Sequence, residues 1–273
     1  MRMNFRKTLR NILGVILCLC MISGTVTATD KEIGIQQERE YLKSIGMPEK
    51  MADKFSDEHI HKLYMEFYGN NVEACDSSEK YISFDKSGRM VSTYAQIPSS
   101  TMLLSIVHFK EWSGTSVSNV TVSIMYEWLK TPSIKRNDAI TVNWDPEVFT
   151  YSWFVGASMI QDAYGDDETE IDFYSNPDIT NQGGLGFWVS LKPPAPKYVY
   201  PYGEFSIGLL PKRVGSLTLS AGILSAINLN YAHHYSPVGS VSIGYNGFGV
   251  SIDTSDWVDF ASNSTTFFSG SRN

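Results

Sequence analysis

The chain has 273 residues, 29 of them acidic and 22 basic, a formal net charge of −7, and 13% aromatic residues. An acidic surplus with no clustered Lys or Arg argues against nucleic acid and anionic membrane surfaces as partners, because both are held through concentrated positive charge. Three cysteines, two of them within the first 20 residues, exclude a disulfide framework as the source of stability.

Residues 1–28 read as a secretory signal. Arg2, Arg6, Lys7 and Arg10 form a basic start, Ile12 to Ile22 is a nearly unbroken apolar run, and Val26-Thr27-Ala28 offers small residues for cleavage. The run is too short to span a bilayer comfortably, and Leu17 and Leu19 precede its cysteines where a lipid-modified cysteine follows a small residue. Removing the signal leaves 245 residues with 18 basic against 29 acidic side chains, a charge of about −11, and Cys75 as the lone thiol. Such a fold is held by its core alone, and a chain of this length buries roughly 70% of its unfolded surface. Cys75 is expected as a partly buried small hydrophobe. No later stretch approaches membrane length, so the expectation is a secreted, extracellular protein with no integral membrane segment after cleavage. The style of the signal and the lack of disulfides point to a bacterial source.

Residues 29–69 carry dense charge and helical periodicity. Glu32 to Ile45 is one helix, stopped by Gly46; Pro48 suits the first turn of a short second helix reaching Phe55. Ser56 is a natural N-cap, with Asp57 and Glu58 in the first turn and Ile60, Leu63, Tyr64 and Phe67 forming an i, i+3, i+4, i+7 stripe. Helices this short cannot bury a core by themselves and must pack on a β domain or on a partner. Residues 70–80 are polar and read as a linker.

From residue 81 to 273 the period changes to two. Tyr81 to Phe84 and Met90 to Ile97 flank the turn Asp85-Lys86-Ser87-Gly88, and Thr101 to Phe109 is a more continuously apolar strand. Val120, Val122, Ile124, Tyr126 and Trp128 alternate with mostly polar residues, as do Ile140, Val142 and Trp144 beyond a loop broken by Pro132. Further short strands follow around an acidic turn at Gly165 to Glu168, a glycine-rich opening at Gly183 to Gly186, and a stiff Pro193-Pro194-Ala195-Pro196 connector. Many short strands with turn signals between them, and no helix pattern after Gly69, predict a mainly β protein: an antiparallel, jelly-roll-like β-sandwich preceded by a short helical segment.

Several residue groups invite a chemical reading. Asp166, Asp167, Glu168 and Glu170 are hard oxygen ligands of the kind Ca2+ takes, although the EF-hand spacing is absent and a solvated turn explains the same residues. His233 and His234 are neighbours beside Tyr235; on a strand they face apart and cannot share a metal ion, but one of them at a strand end can meet a ligand. No strained serine elbow is present, and Glu111, Glu127, Asp145 and Glu147 supply carboxylates for a glycosidase without singling out a pair. Trp128 and Trp144 align with the apolar rows, whereas Trp112 and Trp257 sit among polar residues and are the aromatic surface candidates. The expectation is non-enzymatic binding at or outside the cell surface, with polysaccharide or a cell-surface protein as partner. A carbohydrate-active hydrolase is the first alternative and an inserting β-hairpin toxin the second.

Overall fold

The change of period near residue 70 marks the change from helix to sheet in the computed structural model, which describes residues 28–84, 90–92, 102–114, 116–132, 137–162, 168–174, 177–191, 199–214, 217–218, 224–234, 242–246, 249–253 and 258–268. Three helices come first: α1 (Ala28–Ser44), α2 (Glu49–Lys54) and α3 (Asp57–Phe67). Their boundaries follow the punctuation. Gly46 adopts φ 102° just past α1 and donates its N–H to the Lys43 carbonyl at 2.9 Å. A Cβ there would also lie 2.6 Å from that of Ala74, so the position needs glycine for both its conformation and its close approach to the sheet. Ser56 caps α3, its hydroxyl accepting from the His59 N–H at 3.3 Å.

The strands are β1 (Val72–Phe84), β2 (Met90–Ser92), β3 (Met102–Ser113), β4 (Ser116–Trp128), β5 (Asn137–Asn143), β6 (Phe149–Asp162), β7 (Glu168–Tyr174), β8 (Ile179–Asn181), β9 (Gly184–Ser190), β10 (Val199–Pro211), β11 (Arg213–Val214), β12 (Leu217–Thr218), β13 (Leu224–His234), β14 (Ser242–Asn246), β15 (Gly249–Asp253) and β16 (Val258–Phe268). A seven-stranded sheet runs β2-β1-β3-β4-β10-β6-β7 and a five-stranded sheet runs β16-β13-β5-β9-β8; β11-β12 and β14-β15 are small ribbons. Every pairing is antiparallel. The sandwich read from the alternation is therefore present. Among the described residues no helix is long and apolar enough to cross a membrane.

One feature differs from the sequence reading and another goes beyond it. Residues 70–80, expected as a linker, enter β1 at Val72 and are paired along β3 from Val72↔Glu111 onward. Their polarity belongs to a strand that exposes Asp76, Ser77 and Glu79, not to a connector. The two long alternating runs read as strands joined by the loop at Pro132 also fall in different sheets. β4 lies in the seven-stranded sheet and β5 in the five-stranded one, so the chain crosses between sheets at that loop.

The inward rows of the two sheets meet in one core. Val120, Val122, Ile124, Tyr126 and Trp128 of β4 pack with Ile140 and Val142 of β5, Phe187 of β9, Phe205 of β10 and Tyr231 of β13. The odd-numbered row of β3 faces a second core: Leu103, Val107 and Phe109, with Met125 of β4, pack against Leu42, Met51, Phe55, Ile60, Leu63 and Phe67 of the helical segment. The helices form a third layer on the outer face of the seven-stranded sheet. Each large apolar side chain fully buried there contributes about 1.5–3 kcal/mol.

Glycines on the central strands make room for rings. A Cβ on Gly203 would come within 2.1 Å of the Tyr126 ring, and one on Gly208 within 2.1 Å of the Trp153 indole nitrogen. Tyr126 is fully buried and has nowhere to move. Gly203→Ala is therefore expected to destabilise the protein by about 1–3 kcal/mol through overpacking, read as a lower midpoint of chemical denaturation with an unchanged slope. An unchanged midpoint would show that Tyr126 is not wedged against this backbone.

Candidate functional site

Trp112 was expected at the surface and is instead part of the core, 8% exposed, with its indole N–H donated to Glu73 Oε1 at 2.9 Å. The strand explains why. Trp112 continues the even-numbered inward row of Met102, Leu104 and Ile106, because the β3–β4 register shift falls opposite it and places the extra residue, Ser118, on β4. Polar sequence neighbours misled the reading where parity would not have. Trp257, Tyr235, Asp166 and Asp167 lie outside the described residues, as do the side chains of His234, Glu168 and Glu170. Of the candidate carboxylates, Glu111 sits opposite Asn119 and Glu127 opposite Leu103, eight residues apart along β3 and β4. That separates them by about 26 Å, too far for a glycosidase pair. Glu127 instead meets Lys50 Nζ at 2.7 Å, and Asp145 accepts from the Glu147 N–H at 2.8 Å.

His233 is 1% exposed and inside the sandwich. The β13–β5 register, Ala232↔Ala139, brings it beside Asp138. Its Nδ1 lies 3.0 Å from Asp138 Oδ2 and 3.1 Å from Oδ1. The Tyr231 hydroxyl donates to the same carboxylate, and the Trp128 indole N–H donates to that hydroxyl at 3.0 Å. The Trp128 and His233 rings meet edge to face at 4.8 Å. Burial, reinforced by Asp138, pushes the Tyr231 hydroxyl well above its ordinary pKa. A carboxylate orienting an imidazole is the geometry of a catalytic dyad, but all four groups are buried. What they accomplish is mutual pairing: the Asp138 carboxyl, the Tyr231 hydroxyl, the Trp128 indole N–H and His233 Nδ1 satisfy one another inside the core.

A second constellation was not singled out from the sequence. Glu204 and Ser206 project from β10, both fully buried, towards the start of α3. The Glu204 carboxylate accepts the Ser56 backbone N–H at 2.6 Å and also the Ser56 hydroxyl. His59 places Nε2 2.8 Å from Ser206 Oγ and Nδ1 3.5 Å from Glu204 Oε1, and Ser206 Oγ lies 2.8 Å from Ser123 Oγ. Serine, imidazole and carboxylate are in series, yet the serine is sealed between sheet and helix. The arrangement anchors a helix: a buried carboxylate sits at the N-terminus of α3, where backbone N–H groups and the helix dipole favour negative charge. Arg39 of α1 completes the anchor, donating to the Ala52 carbonyl, to the Phe55 carbonyl at 2.8 Å and to Asp57 at 2.8 Å.

Among the described residues, an aromatic cluster that reaches the surface gathers on α1 and the end of α3. Tyr41 of α1 meets Tyr64 at 5.3 Å and 85° and Tyr68 at 5.7 Å and 67°, while Tyr64 and Tyr68 stack at 4.8 Å and 30°. Tyr68 is 63% exposed and its neighbour Met65 65%. The cluster is held from below, because the Tyr41 hydroxyl donates to the Phe67 carbonyl at 2.9 Å and the Phe67 ring rests on Phe109 of β3 at 5.0 Å. Beside it, His61 Nδ1 lies 2.9 and 3.1 Å from the two oxygens of Glu38. Desolvation, then the neighbouring Tyr68 hydroxyl and Glu38, raise the Tyr64 pKa. Sequence reasoning took Tyr64 as part of an apolar stripe and overlooked Tyr68, which lies one turn further along the same face. Among the described residues no group of three His, Cys, Asp or Glu side chains is placed to hold a metal ion.

No family model matches the chain, and no curated protein matches it. Solved structures resemble it at a distance. BspA_C_mut is 10% identical with a TM-score of 0.28, over 48% of this chain and 50% of that one. BspA_C_WT is similar at 9% and 0.26, so the chain spans about half the length of these two. The KRT10-binding region domain of the pneumococcal serine rich repeat protein PsrP is 9% identical with a TM-score of 0.24, over 58% of this chain and 87% of that one. AvmM, which catalyses macrocyclization in alchivemycin A biosynthesis, is 14% identical with a TM-score of 0.26, over 71% and 96%. Likeness at this level leaves function to be read from the chain itself.

One buried group outside these clusters has a measurable consequence. His108 of β3 is fully buried, and desolvation, helped by Lys110 and opposed by Asp76, lowers its pKa from 6.5 to about 4. The unfolded chain then binds more protons than the folded one between those values. Stability from this group is intact above about pH 6.5 and falls as the pH drops towards 4, by at most about 3 kcal/mol. His108→Gln should flatten that part of the stability–pH curve relative to the parent protein, measured by denaturant unfolding at pH 4.5, 5.5 and 7. Parallel curves would show that the imidazole is not held neutral.

Proposed function

We propose that the protein is a binding domain that acts, without catalysis of its own, at or outside the cell surface, and that it meets its partner with the face formed by Tyr41, Tyr64 and Tyr68. The exposed tyrosine cluster carries this reading. Tyrosine supplies a large, stiff contact area with a polar end at low entropic cost, which is why it is enriched where proteins bind other molecules. Here three such rings are gathered on one surface and fixed to the sandwich through Phe67 and Phe109. The export signal read from residues 1–28 and the acidic balance support an extracellular setting. The two constellations that resemble catalytic groups support the non-enzymatic half, since His59, Ser206, Glu204, His233 and Asp138 are all at most 3% exposed and are committed to holding layers together.

Labelled protein incubated with whole cells and with isolated cell walls is expected to bind saturably. Tyr68→Ala is expected to weaken binding at least about tenfold, the cost of removing a central aromatic contact, while leaving the unfolding midpoint within about 0.5 kcal/mol, as for an exposed side chain. Trp112→Ala should do the reverse, lowering stability by about 3 kcal/mol with affinity retained in the folded fraction. Binding that survives Tyr68→Ala and is lost with Trp112→Ala in fully folded protein would overturn the assignment of the face.

A further inference from the structure

We infer that the tyrosine face binds a neutral glycan, with a sugar ring laid on Tyr68, backed by Tyr64, and its hydroxyl edge turned towards Glu38 and His61. This rests on the binding reading above and names its ligand class.

The geometry separates a platform from a wall. Tyr64 and Tyr68 stack at 4.8 Å with 30° between their planes, so Tyr64 backs Tyr68 and the open aromatic face is that of Tyr68, which is 63% exposed. Tyr41 stands across both at 85° and 67°. A pyranose has a matching anisotropy: one face of C–H groups that packs on the negative face of an aromatic ring, and an edge of hydroxyls that needs donors and acceptors. The edge partners are in place. Glu38, 15% exposed, and His61, 59% exposed, hold each other at 2.9 and 3.1 Å, which fixes the carboxylate so that its remaining lone pairs can accept from a neighbouring hydroxyl. Glu38 is also close enough to act on the Tyr64 hydroxyl, as is the hydroxyl of Tyr68. Aromatic faces and rim polar groups therefore form one contiguous surface.

The surroundings select among ligands. Of the exposed acidic residues on the same two helices, Glu40 pairs with Lys43 and Asp57 with Arg39, and Lys62 is exposed among them. The surround is thus balanced in charge, and the acidic group at the tyrosine face itself is Glu38, which opposes an acidic polysaccharide or an anionic lipid headgroup at that edge. Met65, Tyr68 and Leu210 are the large apolar side chains exposed among the described residues, and Leu210 belongs to β10. The face offers amphipathic rings and little aliphatic anchor, which suits a hydroxylated ligand better than the apolar core of a protein interface. The cluster is also preorganised by the Tyr41–Phe67 hydrogen bond and the Phe67–Phe109 contact, so little order remains to be imposed on binding.

The test is an array of neutral and acidic oligosaccharides, with purified cell-wall and plant polysaccharides, probed with the parent protein and with Tyr68→Ala, Tyr68→Phe and Glu38→Gln. The expected result is saturable binding to neutral glycans, reduced at least tenfold by Tyr68→Ala, reduced severalfold by Glu38→Gln, and largely kept by Tyr68→Phe, which retains the ring. Cells treated with periodate, which cleaves vicinal diols, should lose binding, and cells treated with protease should keep it. Retention by no glycan, or glycan binding indifferent to Tyr68→Ala, overturns the inference. Tyr68-dependent binding to cells that vanishes with protease and survives periodate also overturns it, while leaving the broader binding reading standing. Absence of binding to any cell or wall removes both.

Discussion

The structure depends on one constraint: the central strands of the seven-stranded sheet are apolar on both faces. In β3, every residue from Met102 to Lys110 is buried, and in β4 the same holds from Val120 to Tyr126. A two-layer sandwich covers only one of those faces. The second, carrying Leu103, Val107, Phe109 and Met125, is closed by Leu42, Met51, Phe55, Ile60, Leu63 and Phe67 from the helices. The short helices in turn lack the length to be stable alone and gain their stability from that sheet. Neither layer is complete without the other, which makes the helical segment an integral layer of the protein.

The buried polar groups follow from the same arrangement. A helical layer laid over a sheet brings helix ends, with their unsatisfied N–H groups, against an apolar surface. Glu204 answers this for α3, and Arg39 answers it for the carbonyls at the end of α2. Between the sheets, Asp138 serves Tyr231 and His233, whose rings fill the core while their polar atoms need partners. These groups resemble catalytic sets because both kinds of site need oriented carboxylates and imidazoles. Their position inside the layers separates the two roles, and among the described residues the tyrosine cluster is the aromatic chemistry that faces water.

Much of the fold was legible because alternation is a local property. The run from Val120 to Trp128 fixes which side chains face inward, and Ser56, Gly46 and Pro48 fix the helix limits. Which sheet a strand joins is not local: nothing in Ile140-Thr141-Val142 tells that β5 pairs with β9 and β13 and not with β4. β1 escaped notice because a strand rich in exposed Asp, Ser and Glu has the composition of a loop. Trp112 was misjudged from its polar neighbours, although its even number in β3 placed it inward. Glu204 was the missed signal with a physical basis: a lone acidic residue in the apolar run Phe205-Ser206-Ile207-Gly208-Leu209 beside it implies a buried charge, and a buried charge requires a partner. Tyr68 could not be singled out, since the proximity of Tyr41 and Tyr64 arises only when α1 and α3 lie side by side.

The central claim, that helices and sandwich form a single cooperative unit, is tested most directly by urea unfolding of the intact protein followed with two probes at once. Far-UV circular dichroism at the helix band reports α1 to α3, and tryptophan fluorescence reports the core around Trp128 and Trp144. Coincident transitions with one midpoint are the predicted result. A helix signal lost at lower urea than the fluorescence change would show a sandwich that stands without its outer layer, and would contradict the account.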